Sequence, residues 1–330
     1  MKNIDLCGLG NALVDFQFDV SELQLKEIGY EKGHMTLVDM DVHANLIEKL
    51  SDNEHHKCSG GSAANTVIAF SAFGGKSAYK TVLGNDVLGQ FYAQEFRDLG
   101  IVLRAPFVDD EPTGASFVLI TPDSERTMLT YLGATSHFGE EHIDEEIIKN
   151  SKWLYIEGYK FSLEKSTNAI MKALQIAKKH DTRVAVTFSD YFITESFRVG
   201  LDEVVSKSDL VFCNETEAQS FTRTGSVEEA YRALTDRVPN VIVTMSERGS
   251  MIKYGRHELL IPAYQTRPVD STGAGDMYAA GFFYGMIHNG TAEKAGHLAS
   301  YAASRVVSQY GARLDEDHKK ISEKIFNEIL

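Results

Sequence analysis

The chain has 330 residues, and its 33 basic and 47 acidic side chains give a formal net charge of −14. Its hydrophobic content of 43% and charged content of 24% are ordinary for a globular protein and exclude a mainly disordered chain. The acidic balance argues against nucleic acid or an anionic membrane as a partner, because phosphate surfaces attract clustered Lys and Arg. The length favours one large α/β domain or two smaller ones.

The chain shows no targeting segment. Its first residues contain no apolar run followed by a small-residue cleavage site, so we expect no secretory signal. The most apolar later stretch, residues 277–287, is shorter than the ~20 residues that span a bilayer. Cys7, Cys58 and Cys213 are widely spaced and form no C-x-x-C pair, which is typical of reduced thiols. We therefore expect a cytoplasmic protein.

The first kind of predicted strand is short and apolar on both faces, as buried parallel strands require. These strands are predicted at residues 4–9, 153–156, 184–188, 210–213 and 241–245. Helices are predicted between them and after them, at residues 63–73, 86–98, 165–179, 195–205, 214–222 and 226–236. This alternation favours a doubly wound, parallel sheet.

The second kind of predicted strand is amphipathic. In residues 15–20, Phe16, Phe18 and Val20 share one face and the polar side chains share the other. Further strands of this kind are predicted at residues 35–39, 103–108, 115–121 and 126–131. Strands with one polar face indicate a small sheet that covers a site in the main domain. The alternative is that they extend the edge of the main sheet.

We therefore divide the chain into two predicted units. The β-sheet lid comprises residues 14–40 and 102–133. The large α/β domain comprises residues 1–13, 41–101 and 134–330. The last third of this domain is helical, with helices predicted at residues 273–288, 291–308 and 316–327.

The strongest motif is Asp270-Ser271-Thr272-Gly273-Ala274-Gly275-Asp276, which leads into a helix without charge over residues 277–287. Gly273 and Gly275 leave the backbone bare, so N–H groups at the helix N-terminus can bind an anion. Asp276 lies in the first turn, where it can take the proton of a hydroxyl that attacks a bound phosphate. The alternative is that Asp276 only complements the helix dipole.

Two further motifs begin predicted helices. Gly60 and Gly61 precede an apolar helix that carries Asn65, and they permit close ligand approach; the alternative is a helix capped by Ser62. Asn214 and Glu217 follow a buried strand at i and i+3, so they can orient water around Mg²⁺. The alternative there is a capping box.

Other residues extend the candidate site. Asn11 and Asp15 follow the first strand and offer acceptors for two adjacent sugar hydroxyls, with plain turn residues as the alternative. Arg126 begins a predicted lid strand, where a cation could close over a phosphate, although a solvated edge residue is also possible. The small residues of 244–250, at another strand end, suit nucleotide phosphates or a tight turn.

Three motifs are rejected. Gly8-Leu9-Gly10 lacks the third glycine of a dinucleotide-binding loop, because position 13 is Leu. Gly75-Lys76-Ser77 lacks the first glycine of a P-loop, because position 70 is Phe. His55, His56 and Cys58 have no partner pair at zinc-ligand spacing and are predicted to lie in a solvated loop.

In this order, the opening strand, Gly60–Gly61, Asn214–Glu217 and residues 270–276 resemble the ribokinase, or PfkB-type, family of sugar and nucleoside kinases. The resemblance covers nearly the whole chain. It implies a ribokinase-like three-layer α/β/α sandwich with a mostly parallel sheet and a small β-sheet lid. It also implies phosphoryl transfer from ATP to an alcohol, with Mg²⁺ as cofactor.

The resemblance also assigns residue roles. Asp276 would be the catalytic base, and the backbone N–H groups of Gly273, Ala274 and Gly275 would form the anion hole. The other expected roles are acceptor binding by Asn11, Asp15, Gly60, Gly61 and Asn65, Mg²⁺ and phosphate binding by Asn214 and Glu217, and ATP binding by Thr244, Ser246 and Gly249. Arg126 would stabilise the transferring group. Some members use a monovalent cation such as K⁺, which would lie near Asp270 and Thr272.

Within the family, residues 10–15, 125–134 and 157–159 are most similar to bacterial adenosine kinases. A purine needs an apolar slot, which Met35, Leu37, Phe117 and Met128 could supply unless they form the core of the lid. The expected acceptor is therefore the 5′-hydroxyl of adenosine. Ribose, fructose or another furanose is the alternative, and a non-catalytic nucleoside-binding regulator is a further one. We expect a monomer or a homodimer formed through the lid.

Overall fold

The computed structural model describes residues 2–33, 35–50, 53, 55–123 and 125–328, and its chain alternates between strands and helices. In chain order the strands are β1 (Ile4–Leu9), β2 (Leu13–Asp19), β3 (Met35–Leu37), β4 (His55–Gly60), β5 (Ser77–Lys80), β6 (Leu83–Gly84), β7 (Val102–Arg104), β8 (Phe107–Val108), β9 (Thr113–Ile120), β10 (Arg126–Gly133), β11 (Ser151–Glu157), β12 (Arg183–Thr187), β13 (Leu210–Asn214), β14 (Asn240–Thr244), β15 (Ser250–Tyr254) and β16 (His257–Ile261). The α-helices are α1 (Glu22–Ile28), α2 (Met40–Leu50), α3 (Ser62–Phe73), α4 (Val87–Asp98), α5 (Glu145–Lys149), α6 (Glu164–Lys179), α7 (Tyr191–Ser196), α8 (Arg198–Val205), α9 (Glu215–Thr222), α10 (Val227–Thr235), α11 (Ala274–His288), α12 (Ala292–Val307) and α13 (His318–Glu328).

The large sheet has the strand order β16-β15-β14-β13-β12-β11-β1-β5-β7. Neighbouring strands from β14 to β7 are parallel, whereas β15 and β16 are antiparallel additions at one edge. The predicted doubly wound sheet and α/β fold are confirmed. The single helix predicted over residues 195–205 is wrong, because α7 and α8 divide the segment at Phe197.

Helices cover both faces of the large sheet. Alternate side chains of one strand reach opposite layers, since successive residues of a strand point to opposite faces. In β11, Trp153 and Tyr155 join the core beneath α3, α4, α11, α12 and α13, while Leu154 and Ile156 join the core beneath α5 to α10. Burial on both faces explains why these strands are apolar throughout.

The small sheet has the strand order β3-β10-β9-β2-β4. Its outer face packs on α1 and α2 through a separate apolar cluster that includes Phe18, Leu25, Leu46 and Phe117. The amphipathic strands predicted at residues 15–20, 35–39, 115–121 and 126–131 therefore lie in a sheet of their own, and the side that faces away from the protein is covered by two helices that sequence reasoning did not predict. The single strand predicted at residues 103–108 is wrong, because the segment divides into β7 and β8, which lie in other sheets.

The predicted bounds of the lid need correction. Residues 41–50, assigned to the large domain, belong to α2, which packs on the small sheet. Residues 55–60, also assigned to the large domain, form β4 of that sheet. Residues 102–104, assigned to the lid, form β7 at the edge of the large sheet, where the pairing with β5 covers three residues and is too short to show a periodic pattern. The predicted ranges also contain residues 1, 34, 51, 52, 54, 124, 329 and 330, which lie outside the described residues.

The solvated loop predicted for His55, His56 and Cys58 is wrong, since these residues lie in β4. The ring of His55 lies 5.5 Å from that of Phe16 on the neighbouring strand β2, and this contact stabilises β4. The sequence of this edge strand is too polar to be recognised as a strand. Among the described residues, no group of three or more His, Cys, Asp and Glu side chains could hold a metal ion. In the same part of the chain, no helix has the length and apolarity needed to cross a membrane.

Candidate active site

A cavity of about 1170 Å³ lies between the two sheets. Its floor is formed by the carboxyl ends of the parallel strands and the N-terminus of α11, and its roof by the inner face of the small sheet. Open α/β sheets bind ligands at this edge, because loops and helix N-termini meet there. The predicted site residues that line the cavity are Asn11, Asp15, Gly61, Asn65, Asn214, Glu217, Thr244, Ser246, Gly249, Thr272, Gly273, Ala274, Gly275 and Asp276.

Asp276 lies in the first turn of α11 and faces the cavity. Its carboxylate accepts hydrogen bonds from the Ser62 hydroxyl at 2.7 Å and from Nδ2 of Asn65 at 3.3 Å. Burial raises the pKa of Asp276 to about 7, although both hydrogen bonds favour the ionised form. A carboxyl group with this pKa can accept a proton near neutral pH, which a group that only complements a helix dipole does not need.

The N-terminus of α11 presents backbone donors beside Asp276. Gly273 has φ +73°, and a Cβ there would collide with Ala312, so a side chain is excluded. The N–H of Ala274 donates to the carbonyl of Ser271 at 3.2 Å, which removes one of the three predicted anion-hole donors in this conformation. The N–H groups of Gly275 and Asp276 lie in the first turn, where a helix supplies no internal acceptor.

The double glycine shapes the opposite side of the cavity. Gly61 has φ +103° and is itself the N-cap of α3, so the predicted cap by Ser62 is wrong; the Ser62 hydroxyl contacts Asp276 instead. Gly60 does not line the cavity. A Cβ at Gly60 would collide with the carboxylate of Asp15, so this glycine acts by letting Asp15 approach the backbone.

Asp15 lies within β2 rather than in a turn, and burial raises its pKa to about 7 despite the opposing effects of Arg313 and Arg126. Asn11 lies between β1 and β2, with its side chain largely buried. The backbone N–H of Asn11 donates to Oε1 of Glu157 at 2.6 Å. Asn11 and Asp15 thus present one amide and one carboxyl group to the cavity.

Sequence reasoning missed two buried charged residues beneath Asn11. Glu157, at the end of β11, is fully buried, and Lys160 is 1% exposed. The Nζ of Lys160 donates to Oδ1 of Asn11 at 2.8 Å. The one available signal was a charged residue at the end of an apolar strand, at the edge of the sheet where ligands bind.

Asn214 and Glu217 form the capping box that was left open as an alternative. Oδ1 of Asn214 accepts from the Glu217 N–H at 2.8 Å, and Oε2 of Glu217 accepts from the Asn214 N–H at 3.0 Å. Both residues also line the cavity. Burial raises the pKa of Glu217 to about 7, and the nearby carboxyl groups of Asp190 and Asp276 add to this effect.

This acidic corner fits a divalent cation held through water. The carboxyl groups of Asp190 and Asp276 both act electrostatically on Glu217. Oxygen donors of this kind suit Mg²⁺, which keeps several waters and binds mainly to substrate phosphates.

Residues 244–249 form the tight turn that was the alternative for this motif, and several of them line the cavity. Thr244 ends β14, and the N–H of Met245 donates to the carbonyl of Gly249 at 2.8 Å. Ser246 has φ +51° and Gly249 has φ +86°. The turn thereby presents small side chains and bare backbone to the cavity.

Arg126 and Asp270 do not line the cavity. The guanidinium of Arg126 donates to the carboxylate of Asp270 and to the hydroxyl of Thr272, which joins the small sheet to the loop before α11. Asp270 also accepts from the N–H groups of Thr272 at 2.8 Å and Gly311 at 2.6 Å. The Arg126 guanidinium and the two backbone N–H groups already donate to this carboxylate, so the residues present do not fit a monovalent cation in this conformation.

The inner face of the small sheet is partly apolar. Met35, Leu37 and Met128 line the cavity, as predicted for a purine slot. Phe117 does not, because its neighbour Ser116 points to the cavity and alternation turns Phe117 towards α1 and α2. The assignment of Phe117 to the slot is therefore wrong, and the alternative of a lid-core residue holds for it.

Comparison with known proteins identifies the family. Residues 38–319 match the model of the pfkB family carbohydrate kinases. The chain belongs to that family. The expected resemblance is confirmed, and family members are phosphotransferases that act on hydroxyl acceptors with ATP as co-substrate. This chain is therefore a kinase of the nucleoside and sugar kinase class.

Three relatives illustrate the likeness within the family. The structure of adenosine kinase from Sinorhizobium meliloti is 33% identical, with a TM-score of 0.90 and coverage of 98% of this chain and 99% of that chain. A probable sugar kinase from Rhizobium etli CFN 42 is 32% identical, with a TM-score of 0.91 and the same coverage. The adenosine kinase of Saccharomyces cerevisiae is 27% identical over 93% of this chain and 95% of its own length.

Proposed function

We propose that this kinase transfers the γ-phosphoryl group of ATP to the 5′-hydroxyl of adenosine, giving AMP. The observation that carries this proposal is the apolar group of Met35, Leu37 and Met128, which lines the same cavity as Asn11 and Asp15. An apolar slot next to polar groups suits a nucleoside, because the base is flat and weakly polar while the ribose carries adjacent hydroxyls. A free sugar would leave the apolar slot unused.

The proposed proton transfer uses Asp276. In its ionised form the carboxylate takes the proton of the acceptor hydroxyl as the oxygen bonds to the γ-phosphorus and the bond to ADP breaks. Ser62 and Asn65 orient the carboxylate through their hydrogen bonds of 2.7 Å and 3.3 Å. The free N–H groups at the start of α11 stabilise the negative charge of the transferring group.

The ATP side of the proposed site lies along β13 and β14. Thr244, Ser246 and Gly249 would contact the nucleotide, while Asn214 and Glu217 would hold hydrated Mg²⁺. Bound Mg²⁺ neutralises charge on the phosphate oxygens. The small sheet is proposed to close over both substrates and exclude water, with Arg126 still paired with Asp270.

The test is release of ADP from Mg-ATP with adenosine, inosine, ribose and fructose at equal concentrations. We expect kcat/KM to be highest for adenosine. As a matched control, 5′-deoxyadenosine lacks the acceptor oxygen, so it should bind competitively with adenosine without being phosphorylated. Asp276→Asn serves as the control for contaminating kinases.

The alternative acceptor is a furanose, and Ser116 and Thr130 favour it because their hydroxyls also line the cavity. These two hydroxyls bond to each other at 3.0 Å, which leaves them less free to bind a sugar. A preference for ribose or fructose would replace adenosine as the acceptor while keeping the proposed base. ATP binding without turnover of any acceptor would favour the regulator.

A further inference from the structure

Two buried ionisable side chains, Lys160 and Glu157, lie directly beneath the acceptor side of the cavity. Lys160 is 1% exposed and Glu157 is fully buried. The Nζ of Lys160 donates to Oδ1 of Asn11 at 2.8 Å and to the carbonyl of Thr135 at 3.2 Å, and it lies 4.6 Å from the centre of the Phe138 ring. Buried lysines are rare and costly unless they are paired, so this arrangement calls for a specific role.

The Lys160 contact fixes which end of the Asn11 amide faces the cavity. A lysine ammonium group donates hydrogen bonds and accepts none, so it can face only the oxygen of the amide. The Thr135 hydroxyl donates to the same oxygen at 3.2 Å. Burial lowers the pKa of Lys160, and the nearby carboxyl group of Glu157 opposes this shift and favours the ammonium form. The Nδ2 group of Asn11 is therefore the end left for the ligand.

Glu157 fixes the backbone around the same residue. Its Oε1 accepts from the Asn11 N–H at 2.6 Å, and its Oε2 accepts from the Ala63 N–H at 2.9 Å. One carboxylate thereby ties the end of β1 to the start of α3. The carboxyl group of Glu157 also interacts electrostatically with Lys160 and favours its charged form.

We propose that Lys160 is a positioning residue that holds the side-chain amide of Asn11 as a hydrogen-bond donor towards a hydroxyl of the acceptor substrate. The ionised carboxylate of Asp15 can only accept, so the two side chains together offer one donor and one acceptor. This pair matches a hydroxyl group, which accepts from Asn11 and donates to Asp15. The inference rests on the proposed acceptor site but not on adenosine being the acceptor.

The first test compares Lys160→Met with the parent enzyme. Met keeps an unbranched side chain without a donor, so Asn11 becomes free to turn its oxygen towards the substrate. We expect KM for the acceptor to rise about tenfold, the effect of losing one oriented hydrogen bond, with kcat and KM for ATP within about twofold of the parent. Lys160→Gln keeps a donor without the charge and should recover part of the loss.

A double-mutant cycle separates positioning from a structural role. In an Asn11→Ala background the amide is absent, so Lys160→Met should raise KM for the acceptor no further. If Lys160→Met raises KM by the same factor with and without Asn11, or raises KM for ATP equally, the inference is overturned. Lys80→Met removes another largely buried lysine, with 6% exposure, and should leave both KM values unchanged.

Thr135→Val provides a second route if Lys160→Met does not fold, because it removes a weaker donor to the same oxygen. We expect a smaller rise in KM for the acceptor alone, and an unchanged KM would count against the inference. A parent enzyme that phosphorylates ribose rather than adenosine would refute the nucleoside proposal only. The Lys160 variants would then be measured with ribose as the acceptor, and the same outcomes would support or overturn the inference.

Discussion

The carboxyl edge of the large sheet and the inner face of the small sheet face each other across the cavity, but they are supported differently. The strands of the large sheet are buried between two helical layers, so groups at their ends, such as Glu157, are held by a tightly packed core. The small sheet packs on α1 and α2 through a smaller apolar cluster of its own and carries Asp15, Met35 and Met128 on its other face.

This difference indicates that the two regions have different roles in the reaction. Reacting groups need fixed geometry, and they lie on or beside the large sheet, where neighbouring elements restrain them. Groups that select the acceptor lie partly on the small sheet, where substitutions leave the main core intact. Changes at the start of α11 should therefore lower kcat, and changes at the small sheet should raise KM for the acceptor.

Asp276→Asn should give the largest effect. Asn can still accept the hydrogen bond from Ser62 but cannot take a proton at neutral pH, so we expect kcat to fall 100-fold or more while the affinity for ATP stays near normal. Steady-state kinetics and nucleotide titration measure the two quantities. A variant that retains most of its turnover would remove Asp276 from the role of base.

The pH dependence of the rate should be steep below neutrality. Because the ionised form of Asp276 is the base and its pKa is raised to about 7, kcat/KM should fall about tenfold for each pH unit below 7 and level off above it. The measurement is kcat/KM for the acceptor between pH 5 and pH 9, flanking this pKa. A rate independent of pH in this range would contradict the assignment of the raised pKa to the reacting group.

Met128→Gln tests the small sheet. Replacing an apolar contact with a polar one should raise KM for adenosine about 5- to 30-fold, with kcat and KM for ATP little changed. Met171→Gln on α6 is the matched control, since Met171 packs on the large-sheet core and does not line the cavity. A fall in kcat with unchanged KM for adenosine would contradict the proposal that groups on the small sheet select the acceptor.

Asp276 should also make the free energy of unfolding depend on pH. Its pKa is raised in the folded state, so the stability it contributes is present below pH 4 and is lost as the pH rises through 7. The Asp276→Asn variant has no charge to bury at this position. The free energy of unfolding of the variant minus that of the parent should therefore increase between pH 4 and pH 8, by at most about 4 kcal/mol. Urea unfolding at the two pH values measures this. A difference that does not change with pH would mean that burial does not raise this pKa.

Dependence on K⁺ should be the smallest effect. The Asp270 carboxylate is already neutralised by Arg126, whose guanidinium stays charged at all working pH values. We therefore expect rates in KCl and in tetramethylammonium chloride to agree within about twofold, because no further cation is needed there. Strong activation by K⁺ would show that Arg126 leaves Asp270 in the working enzyme.

Local sequence patterns predicted the large sheet well. Strands buried on both faces, such as β13, give an apolar run that local reading detects, and the helices between them follow. The glycine-rich turn before α11 likewise predicted the position of Asp276. The polar edge strand β4 could not be detected, since exposed histidines carry no periodic signal. The short strand β7 was predicted as part of a lid strand, because three paired residues do not show to which sheet they belong.

Local pattern thus determined the fold class, the two kinds of strand and the candidate reacting group, because propensity, periodicity and backbone freedom act over a few residues. Tertiary structure alone decided the partners of these groups. Ser62 and Asp276 are 214 positions apart, Arg126 and Asp270 are 144 apart, and Asn11 and Lys160 are 149 apart. Such contacts depend on how distant strands and helices pack, and burial at those contacts sets the charge and orientation of each side chain.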